Sequence, residues 1–283
     1  MFIQNIKLIR PLNLLIIAAT MLVVLLKYSP EVDAYYWLKM VYLILPAVLT
    51  AAAGYIVNDI YDVNTDMINA PERVIIGKTV TRKQGFIAYF VLNVVSLLVS
   101  YQLNESYLIV NLCIMTMLFL YAQQLKGMPL IGNLIVALCS AAVVACCILL
   151  ISFKTKIGLL NFTGYILFAF LISLIREIVK DMEDAEGDKQ VGHKTYPILF
   201  GNKGAKIICY VFAGIETLFC GIYSVLAWGV AMYIPAIVMA IITMALFYFI
   251  NLLSKAKEKK DFHYLSQFLK VLILIAVLNL IFT

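Results

Sequence analysis

The chain is 283 residues long, 64% hydrophobic and only 13% charged, with a mean hydropathy of +0.97. That composition excludes an ordinary soluble domain and points to an all-α, integral membrane protein that crosses the bilayer many times. The net charge of +6 is not a nucleic-acid footprint, because the basic residues gather at loop ends, where membrane topology and phosphate binding both use them.

A span needs about 20 apolar residues. Nine candidates follow one another, near residues 11–29, 36–58, 84–102, 105–122, 130–152, 158–180, 204–227, 229–251 and 264–282. Lys7 and Arg10 ahead of the first run imitate a signal peptide, but the run is long and no cleavage site closes it, so it reads as a retained first helix. The six cysteines (Cys113, Cys139, Cys146, Cys147, Cys209 and Cys220) sit inside apolar runs without zinc spacing, which predicts small buried hydrophobes.

Lys and Arg in the connectors set the expected orientation. With the N-terminus cytoplasmic, 17 of the 22 basic residues fall on the cytoplasmic side. Only Lys27, Lys39, Lys154 and Lys156 fall outside, and Lys270 lies within a span. The run Lys255, Lys257, Lys259 and Lys260 reads as a topology anchor at an anionic leaflet.

Two acidic segments interrupt this apolar pattern. At the end of the second span stands Asn58-Asp59-Ile60-Tyr61-Asp62-Val63-Asn64-Thr65-Asp66, and at about 100° per residue Asn58, Asp59, Asp62 and Asp66 share one helical face. The sixth span ends in Lys180-Asp181-Met182-Glu183-Asp184-Ala185-Glu186-Gly187-Asp188, which repeats the D-x-x-D-x-x-x-D spacing 122 residues later; Glu177 lies on the same face. An even number of crossings separates the two, so both open on the same, cytoplasmic, side. Acids held at a bilayer are costly and point to function. The repeat also suggests duplicated four-helix units, roughly 11–125 and 130–251, plus a ninth helix in one domain spanning 1–283.

Crowded carboxylates raise one another's pKa unless a cation or a shared proton relieves them. Oxygen ligands alone favour a hard metal, Mg²⁺ before Zn²⁺. Magnesium held by few protein carboxylates completes its shell with water and phosphate oxygens, so a diphosphate is the expected ligand. Arg73, Lys78, Lys126, Lys180, Lys189 and Lys194 stand near the motifs to neutralise the remaining phosphate charge. A diphosphate on a molecule that must enter a membrane suggests an isoprenoid donor, with Tyr61 and Tyr121 among the aromatics available to shield developing positive charge.

These residues resemble the UbiA superfamily of intramembrane prenyltransferases. The resemblance is carried by Asn58-Asp59-Ile60-Tyr61-Asp62-Val63-Asn64-Thr65-Asp66, Asp184-Ala185-Glu186-Gly187-Asp188 and Ile68-Asn69-Ala70-Pro71-Glu72-Arg73. It also rests on Tyr121 with Lys126, Gly132-Asn133, and Arg10-Pro11-Leu12-Asn13. It covers residues 10 to about 197 in family order; the last three spans are similar by hydropathy only.

The resemblance implies a nine-helix bundle around a central cavity. In it Asn58, Asp62, Asp184 and Asp188 hold Mg²⁺-diphosphate, supported by Asp59, Asp66 and Asp181. Arg73, Lys126 and Lys194 contact phosphate, and Asn13 sits near the acceptor pocket. Within the superfamily, Arg176-Glu177-Ile178-Val179-Lys180-Asp181 through Asp188 looks most like the digeranylgeranylglyceryl phosphate synthases, so the expected partners are a prenyl diphosphate donor and a lipophilic acceptor in the bilayer. The run Arg73-Val74-Ile75-Ile76-Gly77 lacks the second Arg-Pro that group often carries. An aromatic acceptor is the runner-up, and a transporter is the competing class. A transporter would place its acids at the bilayer midplane, not at span ends.

Overall fold

The computed structural model describes residues 6–29 and 33–283, except for the side chain of Arg73. Its α-helices are α1 (Pro11–Tyr28), α2 (Ala34–Tyr61), α3 (Val63–Asn69), α4 (Arg82–Leu103), α5 (Glu105–Gln123), α6 (Ile131–Ala145), α7 (Lys156–Gln190), α8 (Tyr196–Gly229), α9 (Tyr233–Lys255) and α10 (Lys259–Asn279). Among the described residues the only β pairing is an isolated bridge between Ile76 and Val80. Among the described residues nine helices are long and apolar enough to cross a membrane, as the hydropathy pattern predicts.

Local chemistry explains the boundaries. Pro11 opens α1, where its missing N–H costs nothing. Asp33 caps α2 by accepting from Tyr36 N at 2.7 Å, and Asn104 caps α5 by accepting from Tyr107 N at 2.7 Å. Thr81 and Gln84 form a reciprocal capping box at the start of α4. The eighth helix begins at Tyr196, well before the expected 204, because Gly201 at φ 70° lets a leading turn join the span across a kink.

The chain forms two compact units. The first comprises Met1–Met128, Val143–Ser152 and Glu186–His193. Here α2 packs against α1, α4 and α5. An apolar cluster of Leu8, Ala53, Ile56, Val57, Ile60 and Ile76 ties the short 3-10 turn Lys7–Ile9 to the end of α2. Deeper in the unit the helices are joined by a polar ladder: Thr50 Oγ1 donates to Asn111 Oδ1 at 2.8 Å, and Asn111 Nδ2 donates to Ser96 and Ser100, both at 2.8 Å. Ser96 in turn donates to the Pro46 carbonyl at 3.0 Å. These groups are buried and mutually satisfied, which is how polar side chains join helices in an apolar medium.

The second unit comprises Pro129–Ala142, Phe153–Ala185 and Lys194–Thr283. In it α9 packs on α8 and α10. Ser224 donates to the Ala236 carbonyl at 2.8 Å, and Lys206 Nζ to the Ala256 carbonyl at 2.6 Å. All six cysteines are free thiols; Cys147, Cys209 and Cys220 are buried, but Cys113 is exposed, so the expectation of burial does not extend to that position.

Candidate functional site

The first acidic segment is not one uninterrupted helix. The regular turns of α2 stop at Tyr61, and Asp62 takes φ −85° and ψ 1°, a junction conformation between two helices. The i to i+4 bonds nevertheless run through the break: Asp62 N donates to Asn58 O at 2.9 Å and Asp66 N to Asp62 O at 2.8 Å. Asn58, Asp62 and Asp66 thus stay in line along one side. Pro71 follows Ala70, and α3 ends there, as a helix does before a proline.

Asp62 is the centre of this cluster and is buried, at 4% exposure. Its Oδ2 accepts from Asn58 Nδ2 at 2.5 Å and from Lys126 Nζ. Burial alone would lower the Lys126 pKa, but the Asp62 carboxylate outweighs it, helped by Tyr121 and Asp188, and holds the ammonium well above its ordinary value. Asn58 spends its amide donor on Asp62, which leaves Asn58 Oδ1 buried with no partner. Asp59 has a different partner: it accepts from Arg10 Nη2 at 2.9 Å, while the guanidinium lies 4.8 Å over the Tyr55 ring. Arg10 reaches it from a left-handed backbone (φ 51°, ψ 63°), a conformation uncommon outside glycine, which the packed Lys7–Ile9 turn supports. Burial, then the neighbouring Asp62 charge, pushes the Asp66 carboxyl up to about 6.

The last turn of α7 completes the first unit's site. Asp188 is 3% exposed, and its Oδ1 meets His193 Nδ1 at 3.1 Å. The chain reverses at Gly192 (φ 83°), and His193 N returns to the Asp188 carbonyl at 2.9 Å, so backbone and ring both address Asp188. The His193 ring lies against Gly127, beside Lys126, where an added Cβ would approach it to 2.9 Å. Gly187 N donates to Asn69 Oδ1 at 3.2 Å, and a Cβ at Gly187 would lie 2.5 Å from the Asn69 amide.

In the second unit α7 runs unbroken through its acids. Asn133, in the first turn of α6, donates to Asp181 Oδ2 at 2.8 Å. The buried Glu177 accepts from Arg176 Nη1 and Lys180 Nζ, each at 2.9 Å. Glu183 Oε1 meets His263 Nδ1 at 2.8 Å, joining α7 to α10. Asp184 is half-buried and Lys194 is exposed.

The first unit therefore assembles Asn58, Asp59, Asp62, Asp66, Lys126 and Asp188, with Tyr121 beside Lys126. Asn13 is half-buried in the first turn of α1, its N–H donating to the Arg10 carbonyl at 2.9 Å. The Arg73 side chain lies outside the described residues. Sequence reasoning gave no role to Arg10, Asn69 or His193. The first two stood in the quoted motifs, whereas His193 has no motif, only its place five residues after Asp188.

The donor set fits Mg²⁺. It consists of carboxylate and amide oxygens, one of them the buried and unpartnered Asn58 Oδ1. Among the described residues no three His, Cys, Asp or Glu side chains are grouped closely enough to hold a metal alone. A cation here would draw much of its shell from a bound diphosphate and water, the usual habit of Mg²⁺.

The chain is similar in sequence and fold to known proteins. A model of the UbiA prenyltransferase family matches residues 14–272. The digeranylgeranylglyceryl phosphate synthase of Pyrococcus horikoshii is 35% identical over 205 residues, covering 72% of this chain and 71% of that one. A solved digeranylgeranylglyceryl phosphate synthase structure superposes with a TM-score of 0.74 at 26% identity, covering 99% of this chain and 97% of that one. A UbiA homologue from Archaeoglobus fulgidus bound to GPP and Mg²⁺ shares the fold at a TM-score of 0.70 and 14% identity, over 98% of this chain and 99% of that one.

Proposed function

The chain belongs to the UbiA prenyltransferase family, and we propose on that basis that it moves a geranylgeranyl group from its diphosphate to the free hydroxyl of geranylgeranylglyceryl phosphate, with Mg²⁺ required. It is a multi-pass membrane prenyltransferase, and both acidic segments open toward the cytoplasm in this reading. The observation that carries the chemistry is the buried cluster in which Asn58 and Lys126 converge on Asp62. The likeness to digeranylgeranylglyceryl phosphate synthases supports the acceptor.

When bound, Mg²⁺ supplies positive charge to the departing diphosphate. Asn58, Asp62, Asp184 and Asp188 would hold it, with Asp59, Asp66 and Asp181 in support. Lys126, Arg73 and Lys194 balance phosphate charge, and Lys126 is already kept protonated by Asp62. The prenyl carbon–oxygen bond breaks and the acceptor oxygen bonds to that carbon. Asp66, at about 6, has a proton affinity suited to taking the hydroxyl proton near neutral pH. Arg10 fixes Asp59, and His193 fixes Asp188, so neither acid needs to reorganise as the donor arrives. Tyr121 lines the approach to Lys126, and Asn13 stands near the acceptor.

The test is transfer by purified protein from labelled geranylgeranyl diphosphate with Mg²⁺, offered either geranylgeranylglyceryl phosphate or 4-hydroxybenzoate. Product with the glyceryl phosphate is expected; product only with the aromatic acid replaces the acceptor and keeps the reaction. Asp62→Ala and Asp184→Ala are expected to lose turnover while still inserting, and full activity in either would sink the proposal.

A further inference from the structure

Arg176, Glu177 and Lys180 form a cluster outside the donor set proposed above, although the sequence placed Lys180 among the residues near enough to the motifs to neutralise phosphate charge. Arg176 and Lys180 lie one turn apart on α7 and grip the two oxygens of one carboxylate, Arg176 Nη1 to Oε1 and Lys180 Nζ to Oε2, each at 2.9 Å. Glu177 is 6% exposed, with Leu174, Ile175, Ile178 and Val179 buried around it. One carboxylate neutralises one cation, so the trio keeps a net positive charge. Arg176 Nε is buried with no hydrogen-bond partner. A cationic donor left unmade in this way is costly and marks a place where an acceptor atom is missing.

A topology charge does not look like this. Lys260, in the first turn of α10, is 78% exposed with an exposed acid as its partner, whereas the side chains of Arg176 and Lys180 are 23% and 34% exposed and anchored to a buried acid. Their position along α7 is also specific. At about 1.5 Å per residue, Lys180 lies roughly 6 Å and Arg176 roughly 12 Å deeper than Asp184. The pair lies on the membrane side of the α7 acids, the depth at which the head of a lipid meets the helix.

We propose that Arg176 and Lys180, held in register by Glu177, bind the phosphate monoester of the lipid acceptor. The guanidinium fork suits a phosphate bidentately, and Lys180 adds a point charge. A monoester carries about −1.5 to −2 charges at neutral pH, so the trio's net positive charge complements it better than it does an uncharged head group. This assignment rests on the prenyl-transfer reading above. Phosphate could reach the pair from the acceptor or from the donor diphosphate, and the experiment separates the two.

Arg176→Gln and Lys180→Gln are compared with wild type in steady-state transfer, varying donor and acceptor separately. Each is expected to raise KM for geranylgeranylglyceryl phosphate by about 10- to 100-fold, the loss of one charge-assisted contact, with donor KM held within about twofold. Arg176→Lys keeps the charge but not the fork and is expected to fall between. An unchanged acceptor KM, or a donor KM that rises in step, overturns the assignment. Thermal stabilisation of the full-length protein without metal or donor provides a second readout: geranylgeranylglyceryl phosphate should stabilise wild type but not the Gln variants, and geranylgeranylglycerol, lacking the phosphate, should stabilise neither. No stabilisation of wild type by the phosphorylated lipid also overturns it. Loss of wild-type transfer to every acceptor, with metal-dependent donor stabilisation retained, would instead count against the proposed reaction.

Discussion

Replacing Lys126 with Met would strand the Asp62 carboxylate. The two side chains are 24% and 5% exposed, so the pair is poorly screened, and among the described residues no other cation is bonded to Asp62. Removing one member of such a buried pair costs about 3–5 kcal/mol, because the remaining charge keeps its desolvation penalty without its partner. For a protein of this size that corresponds to a fall in Tm of roughly 5–10 °C. The lysine side sets the pH range. Its folded pKa is raised above the ordinary 10.5, so its contribution is complete below that value and is lost only as pH rises through the folded pKa. Melting at pH 7.5 therefore reads the whole pair. Two further measurements identify the cause. Lys126→Met should recover stability in millimolar Mg²⁺, a replacement cation, but not in EDTA. The double variant with Asp62→Asn should melt higher than Lys126→Met alone, since it removes the stranded charge. A Lys126→Met protein that melts with wild type in EDTA, or that ignores Mg²⁺, would refute this account of the cluster.

Three other outcomes follow from the geometry. Asp66 titrates near 6 in the folded protein against an ordinary 3.8, so the folded state binds this proton more tightly. The metal-free protein should gain stability as pH falls through 6, while Mg²⁺-dependent stabilisation should weaken by about tenfold between pH 7 and pH 5, and Asp66→Asn should flatten both curves. Gly187→Ala places a Cβ against the Asn69 amide; the displaced turn carries Asp188, so turnover should fall by about 10- to 100-fold and recover in part when Asn69→Ala opens the space. Asn111→Leu removes three interhelical hydrogen bonds, worth about 0.6 kcal/mol each on average in bilayers, so melting should register a loss of about 2 kcal/mol without a change in KM.

Hydropathy was enough to place the nine spans, because a bilayer admits few alternatives to an apolar helix. The acidic repeat likewise marked the helix ends, since Asp62 and Asp188 are too costly to bury without a task. What the pattern could not show was local geometry. A uniform 100° rotation carries α2 smoothly through Asp62, yet the regular helix is interrupted there, at φ −85° and ψ 1°, before α3 resumes. The left-handed Arg10 was equally hidden: only the packing of Leu8 against Ile56 and Ile60 fixes it. His193 depends on the Gly192 reversal, and the pairing of Lys126 with Asp62 joins residues 64 positions apart, a separation at which local rules are silent. The early start of α8 was missed because Gly201 reads as a break, whereas it joins two helical pieces.

The ladder linking Thr50, Ser96, Asn111 and Ser100 bears on how the protein is made. Each of these side chains is a burden to its own helix while that helix is alone in lipid, and α5 has the lowest mean hydropathy of the nine spans, at 1.6. The partners of Asn111 sit on α2 and α4, which leave the ribosome first. The order of synthesis thus matches the order of pairing: α2 and α4 are made first and bond to each other, and α5 brings Asn111 to both. Before Asn111 arrives, Ser96 can already bond to Thr50 and to the Pro46 carbonyl, at 2.9 and 3.0 Å, so α2 and α4 hold a partial ladder that α5 completes.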